Sequence, residues 1–187
     1  SVDGRLREQL SALPEGRLLS LLNVKYVIAD KVHDVWVDNV YYDLGNTALL
    51  GPEASTWRSD DLSPFPAGAV GIVSYLTEAA NLPDGAPIAV VTVTGQDGRT
   101  SSFTLRAGTD SAEGEFKTAR HKQARVVSAW RDNPQGKNYY TRLSWRDTII
   151  PRSIEVRYIA NSGQLALRGL SLIDDRTGVG QALVVSG

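Results

Sequence analysis

The chain has 187 residues, 42% hydrophobic and 22% charged, with a formal net charge of -1. That length accommodates one domain with a sizeable core, or one domain with a short appendage. The near-zero charge argues against a nucleic-acid partner, which needs a basic surface, and the lack of cysteine excludes disulfides and thiolate metal sites.

From the start of the chain, Leu6, Gln9, Leu10 and Leu13 fall at helical spacing and are stopped by Pro14 and Gly16. A short helical appendage is therefore expected over residues 1–23, with a β domain over 24–187. Residues 24–29 read as a strand, and residues 34–44 alternate imperfectly, as one further strand. Residues 47–50 run into Gly51-Pro52, a turn signal. A loop rich in Asp, Ser and Pro follows, and then Val70-Gly71-Ile72-Val73-Ser74-Tyr75-Leu76, an apolar run that reads as a buried strand.

Residues 88–94 and 102–106 are β-branched or alternating runs on either side of Gly95-Gln96-Asp97-Gly98-Arg99, an Asp-Gly hairpin signal. Residues 107–123 form the longest polar interruption. Strands resume over 124–130 and 139–145. Residues 153–158 and 164–168 then flank Asn161-Ser162-Gly163, which reads as a second hairpin. Two more strands are expected over 169–174 and 181–186. The pattern is that of an all-β antiparallel β-sandwich, with about eight to ten strands and the count of a jelly roll. Strand phase points Val70, Ile72, Val91, Val93, Phe103, Leu105, Val127, Ile154, Val156, Leu165, Leu167, Leu170 and Leu172 into the core.

No catalytic constellation accompanies this pattern. The two histidines, His33 and His121, have no partner at metal-binding spacing, and no Gly-x-Ser-x-Gly elbow is present. Asp110, Ser111, Ala112 and Glu113 lack the dense Asp/Asn/Gly alternation of a calcium loop, so no metal or cofactor is expected. The polar loop collects both charge signs, which suits hydroxyl and phosphate groups. A ligand site, if the domain has one, is placed at Arg106, Asp110, Glu113, Arg120 and His121, and the competing expectation is that these charges pair to pin the loop. Aromatic rings are the usual platforms for sugars. Trp57, Trp130, Tyr139, Tyr140 and Trp145 are candidates, with Trp57 expected to be partly exposed beside its polar loop. The alternative is a jelly-roll hydrolase acting on glycans through paired loop carboxylates.

Arginine outnumbers lysine, and Ala, Gly, Val and Leu are abundant, as in bacteria with GC-rich genomes. The chain carries no methionine and no stretch long enough to span a membrane, and it is expected to be an excised piece of a longer protein.

Leu21-Leu22-Asn23-Val24-Lys25-Tyr26-Val27-Ile28 resembles a segment of bacterial multipass membrane proteins of the YfhO type, which look like GT-C glycosyltransferases with soluble extracytoplasmic regions. Residues 105–113 and 169–174 are similar to segments of long members of the same group. The β-rich remainder is similar to the jelly roll of galactose-binding-like domains. The resemblance implies a non-catalytic accessory module on the extracytoplasmic face of a bacterial membrane, as part of an integral membrane protein. Such a module would bind a glycan or a lipid-linked sugar, or brace the membrane part, with no nucleic acid involved. The family's presumed catalytic acidic residue lies in a loop between early membrane helices, so no catalytic residue carries over to this chain.

Overall fold

The computed structural model describes residues 34–60, 62–115, 123–130 and 132–186. The expected N-terminal helical appendage and the expected strand over 24–29 lie outside the described residues, as does the boundary between appendage and β domain. The described residues are all-β, with antiparallel pairing between the strands.

In chain order the strands are β1 (Asp34–Val37), β2 (Val40–Asp43), β3 (Ala48–Leu50), β4 (Thr56–Ser59), β5 (Ala67–Thr77), β6 (Pro87–Gly95), β7 (Thr100–Arg106), β8 (Arg125–Ala129), β9 (Lys137–Ile149), β10 (Pro151–Tyr158), β11 (Gln164–Ile173) and β12 (Gly180–Leu183). A four-stranded sheet runs β4-β10-β6-β7. A larger sheet runs β12-β11-β5-β9-β8, and β3 also pairs with β11. β3 pairs with Leu165–Leu167 and β12 with Leu170–Ile173, so these two short strands share one flank of β11 end to end. β1 and β2 form a separate hairpin.

The two sheets close on one apolar core. Val91, Val93, Leu105, Ile154 and Val156 from the four-stranded sheet meet Val70, Ile72, Leu165, Leu167, Leu170 and Leu172 from the larger one, all fully buried. Each such side chain contributes about 1.5–3 kcal/mol by leaving water. These eleven positions are the ones that strand phase assigned to the core. Phe103 and Val127, assigned with them, are only half-buried: Phe103 sits on the edge strand β7, and Val127 packs against a second cluster.

That second cluster explains why β5 reads as an unbroken apolar run. The β1–β2 hairpin covers the other face of the larger sheet, where Val37, Val40, Tyr42 and Leu44 pack on Ala69, Val73, Tyr140 and Ile173. A strand covered on both faces has no polar phase. β5 is buried at every position from Ala67 to Ser74.

Three expectations are corrected. Residues 34–44 hold two strands, because Asp38 and Asn39 both take positive φ (50° and 64°), the geometry of a two-residue type I′ turn. β11 is one strand across residues 164–173, with a register shift between Leu167 and Gly169. Finally, Asn161-Ser162-Gly163 is no hairpin turn. β10 pairs with β4 and β6, whereas β11 pairs with β3, β5 and β12, so the chain passes here from one sheet to the other. Gly163 takes φ +75°, and Tyr158 Oη donates to the Ser162 carbonyl at 2.7 Å, pinning the corner. Alternation is identical for strands lying side by side and for strands facing each other across a core, so the phase alone does not separate the two. The Asp97-Gly98 hairpin forms as expected, with Gly98 at φ +81° and Gly95 N–H donating to the Arg99 carbonyl at 2.8 Å.

Candidate functional site

The polar segment after β7 is woven into the sheet edge. Arg106 N–H donates to Asp110 Oδ2 at 2.8 Å, and Asp110 N–H returns a bond to the Arg106 carbonyl at 3.0 Å. Gly108 takes φ +77°, which lets its N–H reach the Ser111 carbonyl at 2.7 Å. Thr141 Oγ1 donates to Asp110 Oδ1 at 2.9 Å, tying this turn to β9. Ser74 Oγ donates to Ser111 Oγ at 2.9 Å, with both residues buried.

Beyond the turn the chain runs parallel to the end of β5. Leu76 N–H donates to the Ala112 carbonyl at 2.7 Å, and Gly114 N–H donates to the Leu76 carbonyl at 2.8 Å. Glu113 Oε2 accepts the Ala79 N–H at 3.1 Å. Both acidic candidates therefore hold backbone. Arg106, exposed at the end of β7, sends Nη1 to the Gly85 carbonyl at 2.9 Å. The structure brings Arg106 and Asp110 together through the Arg106 backbone N–H and places Glu113 beside Ala79. Arg120 and His121 lie outside the described residues. Of the pinning expected from paired charges, the carboxylates do pin the segment, with backbone N–H and a threonine hydroxyl as their donors.

The aromatic candidates are packed. Trp57 is 5% exposed, which overturns the expectation of partial exposure. Its strand, β4, sets it opposite Val156, in the inward row of the sheet. Tyr139 and Tyr140 are buried, and half-buried Trp145 donates Nε1 to the Ala67 carbonyl at 2.9 Å. Trp130 lies where side chains at Gly114 and Gly136 would stand, with its ring centroid 4.5 Å from that of Tyr75.

Among the described residues, the exposed aromatic surface is on the β1–β2 hairpin. Trp36 is 67% exposed, and it pairs in register with half-buried Tyr41, their ring centroids 5.5 Å apart and their planes inclined at 53°. Val37, Val40 and Tyr42 face the sheet beneath, so by alternation Trp36 and Tyr41 face away from it.

This ribbon is held from several sides. Arg125 donates to both Asp38 carboxylate oxygens, at 2.7 and 2.8 Å, and lies 5.3 Å above the Tyr140 ring. The Arg125 hydrogen bonds hold the Asp38 carboxyl below its ordinary pKa. Tyr42 Oη donates to Tyr140 Oη at 3.4 Å, and burial raises the Tyr42 hydroxyl beyond the range in which tyrosine titrates. Ser171 Oγ donates to the Tyr41 carbonyl, and Arg168 Nη2 to the Leu44 carbonyl at 2.7 Å.

Trp36 was missed as a candidate although two signals point to it. Asp38-Asn39 is a type I′ turn pair, and Trp36 lies in the polar phase between Val35 and Val37.

Among the described residues no group of three or more His, Asp or Glu side chains is arranged to hold a metal ion, and no helix is long and apolar enough to cross a membrane. Compared with protein-family models, curated proteins and solved structures, the chain matches none.

Proposed function

We propose that this chain is a non-catalytic carbohydrate-binding module, and that Trp36 and Tyr41 are its sugar platform. The observation that carries the reading is the outward aromatic pair on a braced hairpin. The apolar C–H faces of a sugar ring stack on exposed aromatic rings, and the hairpin offers two side by side. Rigidity supports the reading further, because a platform fixed by Arg125, Ser171 and Arg168 loses little ordering entropy on binding.

The two-sheet architecture is compatible with a jelly roll of the galactose-binding-like type, and we place the module in that class. The likeness of residues 21–28 to YfhO-type proteins supports a setting on the extracytoplasmic face of a bacterial membrane, as an accessory to a glycosyltransferase-like parent. The glycan, free or lipid-linked, would then meet the hairpin rather than the segment around Asp110 and Glu113, whose carboxylates are engaged with backbone.

Screening on a glycan array, followed by titration of tryptophan fluorescence, tests the reading. Trp36→Ala and Tyr41→Ala are each expected to weaken glycan binding about ten-fold or more, and Trp36→Ala to leave the unfolding transition in place. A wild-type chain that binds no glycan, or binding unchanged in Trp36→Ala, would falsify it.

A further inference from the structure

The edges of the two sheets are not alike. β4 is four residues long and carries Arg58, ion-paired with Asp60 and Glu155. β8 is interrupted by a register shift between Val126 and Ser128. β3 and β12 are short and share one flank of β11. These are the usual devices that keep a sheet edge from recruiting another strand. Between Thr100 and Leu105, β7 has none of them. It is seven residues long, pairs with β6 without a shift from Thr100 to Thr104, and has neither proline nor charge between Arg99 and Arg106.

The direction of its backbone groups follows from the turn. Gly95 N–H donates to the Arg99 carbonyl, so Ser101, Phe103 and Leu105 face β6 with their N–H and C=O groups, and Thr100, Ser102 and Thr104 face away. Arg106 faces away as well, and there its N–H is taken by Asp110 and its carbonyl by the Asp110 N–H. The outward groups of Thr100, Ser102 and Thr104 therefore form an open edge, closed at one end by the Asp110 turn. Among the described residues no strand pairs with it.

We infer that this edge binds a second copy of the chain, β7 against β7, antiparallel about a two-fold axis at Ser102. In that register Ser102 faces Ser102, and Thr100 faces Thr104 of the second copy, so every outward residue of the open stretch is matched and each pair exchanges both N–H···O bonds. On the outer face the register sets hydroxyl against hydroxyl, a favourable cross-strand pairing. On the inner face it covers the side of Phe103 that its own sheet leaves half-exposed beside Trp145. Charge agrees too. Arg106 comes opposite Gly98 of the second copy, next to the turn bearing Asp97, and no like charges stand directly opposite each other. The two four-stranded sheets become one continuous sheet of eight.

Sedimentation of the full chain over a concentration series up to hundreds of micromolar is expected to show a monomer–dimer equilibrium. Ser102→Pro removes an outward N–H that no other described residue uses, so it should give a folded monomer. Since the chain has no cysteine, a short bis-maleimide should link Ser102→Cys to its copy across the two-fold, while Thr56→Cys on the opposite edge should not be linked. If Ser102→Pro fails to fold, Thr100→Lys with Thr104→Lys decides instead: it puts lysine against lysine in this register and should dissociate the dimer. Thr100→Lys with Thr104→Glu should restore it. A chain that stays monomeric throughout, a dimer that survives the lysine pair, or failure of Ser102→Cys to crosslink would each overturn the inference.

Discussion

The hydroxyl of Tyr42 occupies the place where a side chain at Gly71 would begin. A Cβ built on Gly71 would lie 2.8 Å from Tyr42 Cζ and 3.0 Å from a ring carbon of Tyr140. The glycine thus lets the hairpin lie close on the larger sheet, and the buried tyrosine pair stands over it. Gly71→Ala is expected to destabilise the fold by about 1–3 kcal/mol through overpacking. Adding Tyr42→Phe should return part of that loss, since it removes the nearest atom and leaves the ring. Urea unfolding of the two variants checks this, and a neutral Gly71→Ala would refute it.

Two tryptophans should differ sharply in what they contribute to stability. Trp57→Ala opens a cavity between the sheets and should cost about 3–5 kcal/mol, whereas Trp36→Ala should change stability by less than about 0.5 kcal/mol. Comparable losses at the two sites would mean that Trp36 is packed rather than exposed.

Asp110 gathers the Arg106 N–H and the Thr141 hydroxyl. Asp110→Ala should therefore lower stability by about 1–2 kcal/mol and speed amide exchange at Arg106. Arg106→Ala keeps its backbone N–H and should do neither to the same extent. Amide exchange read by NMR separates the two variants.

The ion pair between Asp38 and Arg125 sets a pH dependence. A carboxyl held below its ordinary pKa in the folded chain contributes stability that is complete above the unfolded value, about 3.9, and is lost as pH falls through the folded value. Both groups are about half-exposed, so the contribution is small and weakens with salt. NMR titration should find Asp38 below the usual aspartate range in the wild type and back within it in Arg125→Ala. An unchanged Asp38 titration would break the assignment.

What the sequence disclosed depended on how local the deciding interaction was. The Asp97-Gly98 hairpin was legible because its turn and both its strands lie within one short stretch. The corner at Ser162 was not, because its outcome rests on β6 and β5, far away in the chain, competing for β10 and β11. Trp57 read as a loop neighbour because its inward neighbour, Val156, comes from a distant strand. Asp110 and Glu113 read as candidate ligand groups for a related reason: a carboxylate that accepts backbone N–H groups has the same composition as one that faces a ligand.

The exchange of the chain between sheets has a kinetic consequence. β9 lies beside β5, and β10 lies between β4 and β6, so the centre of each sheet waits for strands made late in the chain. A nascent chain ending at Arg106 would have β6 and β7 paired but no β10 to join them to β4, and no β9 or β11 to flank β5. Neither sheet can then mature as an independent unit. Loop closure over such distances places folding on the millisecond-to-second scale. During that interval the hydroxyl-rich β6–β7 hairpin would stand formed through its own turn, with its outer edge open before β10 arrives.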